Sequence, residues 1–168
     1  MLLSKRMNPT AVSNGDLPAP LRALALPISR VCLALLCLSA VIQMTGLALD
    51  LLTLAGVSTG SFAPNAWMDL AINYATAFVL GLDATVTGVR AHADEGPSIR
   101  NVGPGGWSML TAYVQIIALP AYLAGPRWRG ARRPAQPDPP DVLTFMALAG
   151  NALLACTTLA FGWVTWGR

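Results

Sequence analysis

Residues 31–49 read Val-Cys-Leu-Ala-Leu-Leu-Cys-Leu-Ser-Ala-Val-Ile-Gln-Met-Thr-Gly-Leu-Ala-Leu, a run without a charge, entered from Arg30 and left at Asp50. As a helix rising 1.5 Å per residue it covers about 28 Å, close to the hydrocarbon thickness of a bilayer. The run is longer than the apolar core of a secretory signal, and Leu38-Ser39-Ala40 is a poor cleavage signal, so the stretch reads as a retained membrane helix.

The rest of the chain repeats this pattern. Its 168 residues are 54% hydrophobic and 11% charged. A soluble domain carries about 25% charge, so this chain lacks the residues to cover itself with a solvated surface. Residues 1–26 form a leader expected to be largely coil, dense in Gly, Pro, Asn and Asp. The transmembrane domain then occupies 27–168, with spans expected at about 28–52, 66–89, 107–125 and 142–166. The fold class is all-α, a polytopic membrane protein built as a four-helix transmembrane bundle. All five tryptophans (Trp67, Trp107, Trp128, Trp163, Trp166) fall at or near segment ends, as in the aromatic belt of spanning helices.

The second segment is the weakest span. Its uncharged centre, 70–82, is bracketed by Asp69 and Asp83. An Asp at the middle of a span costs about 2.5–3.5 kcal/mol on insertion scales, but both lie off-centre and on one face. The alternative is therefore three spans, with segment two re-entrant or lying in the interface. Charge counting does not resolve this. Four spans with an inner N-terminus place Lys5, Arg6, Arg22, Arg30, Arg90, Arg100 and Arg168 inside, against Arg127, Arg129, Arg132 and Arg133 outside. The basic run 127–133 then breaks the positive-inside rule; if segment two does not span, that run moves inside, leaving Arg90, Arg100 and Arg168 outside, and charge alone leans slightly towards three spans.

Two features would carry function. On segment two, Asn65, Asp69, Asn73, Thr76, Asp83 and Thr87 fall within about 40° of one line along a helix. With Gln43 and Asp50 of the first segment, Asp69, Asn73, Thr76 and Asp83 would form a polar intramembrane face. That face would line a path for protons or cations, or would bond to polar groups of other helices and hold the bundle together. The second feature is the run Arg127, Arg129, Arg132 and Arg133, a contact for lipid headgroups or a partner. Segment four adds rows of small residues, Ala147, Asn151 and Ala155 beside Thr158 and Gly162, which permit close helix approach.

Catalysis finds no support. There is no nucleophile elbow, no zincin motif and no phosphate-binding loop, and Gly103-Pro104-Gly105-Gly106 reads only as a turn. Cys32, Cys37 and Cys156 sit in apolar runs, and His92 is the sole histidine. No disulfide framework, metal, cofactor or catalytic residue is expected, and the chain is expected not to be an enzyme. The net charge of +3 spread over loops suits membrane lipids rather than nucleic acid. Arg-rich, Ala-, Gly- and Pro-rich usage places the expectation in a bacterial cytoplasmic (inner) membrane. The function expected is that of a structural or accessory subunit of a membrane complex, with other membrane subunits or itself as partner. The alternative is a small channel or transporter for protons or cations on the Asp69/Asp83 face.

Overall fold

The computed structural model describes residues 19–57, 66–89, 102–128 and 141–166. These form four helices: α1 (Ala19–Leu54), α2 (Ala66–Val86), α3 (Pro104–Ala124) and α4 (Val142–Trp166). The expected all-helical bundle is present.

Helix α1 begins at Ala19, so residues 19–26 of the segment expected to be largely coil are helical, and residues 1–18 lie outside the described residues. Pro20 falls in the first turn, where its missing N–H breaks no ladder bond. Helices α1 and α2 end alike. Gly56 (φ 80°) and Gly88 (φ 70°) take the left-handed conformation just past each helix. Val57 N–H then bonds Leu52 O at 3.0 Å, and Val89 N–H bonds Ala84 O at 2.9 Å. Each closes a Schellman cap on carbonyls the helix leaves open. At the start of α4 the Asp141 carboxylate accepts from Thr144 N–H at 2.8 Å, capping a first turn that lacks intrahelical partners. Helix α3 begins at Pro104, inside the stretch that reads as a turn, with Pro in the first turn after an extended Gly103.

Helix α2 is the centre of the molecule and packs against α1, α3 and α4. Helices α1 and α4 run antiparallel to it. On α1, Ser29 meets Asp83 and Ser39 meets Thr76. On α4, a Cβ on Gly81 would lie 2.9 Å from Leu148, and one on Gly162 would lie 3.2 Å from Met68. At one end Trp67 stacks on Phe161 with centroids 5.5 Å apart. Segment two thus runs the length of the bundle between two long apolar helices. Its 21 residues reach about 31 Å, enough to cross a bilayer.

The third helix departs from the expected path. Val114 has non-helical angles (φ −135°, ψ 51°), and the chain reverses there. Trp107 and Tyr122 are fifteen residues apart, yet their rings pack with centroids 5.5 Å apart. A continuous helix would separate them by about 22 Å. The first arm, 104–113, descends antiparallel to α2: Ser108 bonds Ala77 O at 2.9 Å, and Asn73 bonds Ala112 O at 2.8 Å. The return arm, 115–124, climbs back: Gln115 lies 3.4 Å from Ser39, whereas Tyr122 reaches Asp83 at 2.8 Å. Both ends of α3 therefore lie at the same end of the bundle. Local sequence favours the break. Val114, Ile116 and Ile117 are β-branched, and Pro120 removes the N–H that Ile116 O would accept.

By length and composition three helices can cross a membrane: Leu24–Leu54, Pro104–Trp128 and Val142–Thr165. Of these, α3 turns back at Val114, while α2, which is not among the three, runs the length of the bundle without a break. The first arm of about 15 Å reaches only the middle of a hydrocarbon core of about 30 Å. The main core gathers above this reversal, where Leu36, Leu80, Ala84, Val89, Trp107 and Leu119 are buried together.

Candidate functional site

Polar groups meet at two levels inside the bundle. The first is near the end where α3 enters and leaves. Asp83 is 0% exposed and Arg127 5%. Arg127 Nε donates to Asp83 Oδ2 at 2.8 Å. Tyr122 OH donates to the same oxygen at 2.8 Å, and Ser29 Oγ donates to Oδ1 at 3.1 Å. Arg127 Nη2 also reaches Ser29 Oγ at 3.1 Å and Ser29 O at 3.3 Å. The carboxylate is thus neutralised and hydrogen-bonded on both oxygens, the arrangement a buried charge requires. The site draws on α1, the C-terminal part of α2, and the end of the return arm. It ties three elements together.

Arg127 is therefore not a surface contact beside the other arginines. It is drawn out of the basic run into the interior, and only its neighbour Trp128, 5.5 Å from the guanidinium, faces outward. Arg129, Arg132 and Arg133 lie outside the described residues.

The second level is near the reversal of α3. Thr76 Oγ1 donates to Ile72 O at 2.7 Å, so its 2.6 Å contact with Ser39 Oγ must take the Ser39 proton. Ser39 Oγ in turn accepts from Gln43 Nε2 at 2.9 Å and from Gln115 Nε2 at 3.4 Å. Three helices share one hydroxyl. Asn73 spends its amide N–H on Ala112 O, a carbonyl freed by the break, and its Oδ1 has no hydrogen-bond partner among the described residues. Between the two levels, Asn151 Nδ2 donates to Ser108 Oγ at 2.9 Å, joining α4 to the first arm. Ala147, Asn151, Thr158 and Gly162 are buried and Ala155 half-buried, so the α4 rows face the inside of the molecule.

The polar face read on segment two is thus brought together in part. Asn73, Thr76 and Asp83 bond to other helices, while Gln43 bonds Ser39 on its own helix and joins the shared hydroxyl from there. Asp50 and Asp69 are exposed at the opposite end, within electrostatic reach of each other. Ser29 and Tyr122, which complete the Asp83 site, carry no local sequence signal. Trp107 is 1% exposed rather than part of an aromatic belt, and its Nε1 is unpartnered among the described residues.

Outward, the reversal is uncovered. Tyr113 is 80% and Val114 44% exposed at the depth where the helical ladder is interrupted. Among the described residues no group of three His, Cys, Asp or Glu side chains gathers as a metal site would require. Chemically, the described interior holds the neutralised Asp83–Arg127 pair and a set of interhelical hydrogen bonds, with Asn73 Oδ1 and Trp107 Nε1 left over. Fold and site together define a class: a small multi-pass helical membrane protein whose third helix folds back on itself. Comparison with family models, curated proteins and solved structures finds no match.

Proposed function

We propose that this protein is an accessory subunit of a bacterial inner-membrane complex, without catalytic activity of its own, that docks through the reversal of α3. The observation that carries this reading is the break in the α3 helix at Val114, flanked by the exposed Tyr113, Val114, Ile116 and Ile117. In hydrocarbon, irregular backbone persists only where protein or a water-filled cavity covers it, because its open N–H and C=O groups have no other partner. Tyr113 adds a phenol to the same surface, and Ile116 and Ile117 beside it are exposed as well. A membrane-embedded segment of another subunit would cover these groups and satisfy the backbone.

The conduction reading draws on the unpartnered Asn73 Oδ1 near the reversal. Against it stands the Asp83 site. A cation or proton passing there meets a neutral, fully bonded pair and would first have to separate Arg127 from the carboxylate.

A photo-crosslinking residue at position 113, with a control on the exposed face of α4 at Leu153, tests the accessory reading in native membranes. The expected outcome is a discrete protein adduct at 113, identified by mass, and lipid adducts alone at 153. Lipid adducts alone at both positions would contradict it.

A further inference from the structure

We infer that the chain crosses the membrane three times, and that the end of the bundle where α3 enters and leaves faces the cytoplasm. Four contacts identify that end. Ser29 of α1 bonds Asp83 near the C-terminus of α2. Trp107 and Tyr122 bring the two ends of α3 together. Arg127, just past α3, closes on Asp83. Gly105 N–H donates to Thr144 Oγ1 at 3.1 Å, placing the start of α4 beside the start of α3. The opposite end holds the start of α2 and the end of α4, joined by Trp67 and Phe161.

The charges divide accordingly. Of the 11 Lys and Arg residues, every one except Arg168 lies at the first end or in a segment joined to a helix that starts or stops there. The opposite end has Asp50 and Asp69 beside the segment bearing Arg168. Basic residues near helix ends are retained on the cytoplasmic side. A straight α3 would put the run 127–133 across the membrane from the other basic segments. With α3 folded back, the one violation of the rule disappears. The hydrogen-bond geometry and the charge distribution are independent observations, and they select the same path. The consequence is an odd number of crossings, with the N- and C-termini on opposite sides.

The test is labelling of the full-length protein in intact cells with a membrane-impermeant maleimide. Single cysteines are placed at positions 60, 94, 134 and 168, with Cys32, Cys37 and Cys156 replaced by Ser. Positions 60 and 168 should label from outside, and 94 and 134 only after the membrane is opened. Labelling of 94 and 134 from opposite sides would mean that α3 crosses, and the reverse pattern would mean the orientation is inverted. Either would overturn the inference; a crossing α3 would also remove the reversal on which the docking proposal rests, whereas an inverted orientation would leave that proposal to its own crosslinking test.

Discussion

At the scale of single residues, Asp83 and Arg127 decide most. They are 44 positions apart in the chain, and their union fixes the return arm of α3 against α2 and α1. Removing one partner strands a buried charge, whereas replacing both with apolar groups of similar volume removes the desolvation penalty together with the attraction. Arg127→Met alone should therefore lower stability by about 3–5 kcal/mol, and Asp83→Leu with Arg127→Met should recover most of that loss. Unfolding in detergent followed by tryptophan fluorescence measures both. If the double variant is as unstable as the single one, the pair is not the unit that matters. This pairing was half legible. Asp83 stands out in the sequence as a carboxylate in an apolar helix, which demands a partner. Arg127 does not stand out, because it looks like one of four arginines in a proline-rich loop. Nothing in local spacing separates it from its neighbours; only the tertiary position of the return arm does.

At the scale of elements, α2 takes over the organising role that the long run 31–49 suggests. Mean hydropathy ranks α1 first among the three candidate spans, but a lipid-facing helix can be apolar on every side without touching much protein. Helix α2 is interrupted by Asp69, Asn73, Thr76 and Asp83, and such groups are tolerated in a membrane when other helices bond to them. Three of the four are bonded in this way. Its small residues serve the same end. A Cβ on Gly81 would approach Ser108 Cβ to 2.8 Å and Leu148 Cδ2 to 2.9 Å. Gly81→Leu should therefore push α2, α3 and α4 apart, costing about 1–3 kcal/mol or more. A lowered melting temperature in detergent, with Gly46→Leu as the control at a site with nothing within 4 Å, checks this. Equal effects at the two positions would argue against close packing around α2.

At the scale of the whole molecule, the helix count was legible and the path was not. Uncharged runs and turn residues marked all four helices, because insertion responds to composition. Composition carries no direction, so a helix that turns back at Val114 and one that crosses have the same hydropathy. The sequence did hold one trace of the reversal: the basic run 127–133 sits on the wrong side if all four segments cross. Assigning the doubt to the Asp-bearing second segment placed the irregularity one helix too early. The return of α3 to the side it enters is the central claim, since the buried pair, the exposed reversal and the crossing number all depend on it. A distance measurement between spin labels at Val102→Cys and Ala124→Cys, in lipid nanodiscs and with the three native cysteines replaced, tests it directly. A folded-back α3 places the labels within about 20 Å, given helix axes about 8–10 Å apart. A helix that continues across the bilayer places them about 33 Å apart, and that longer distance would contradict the account.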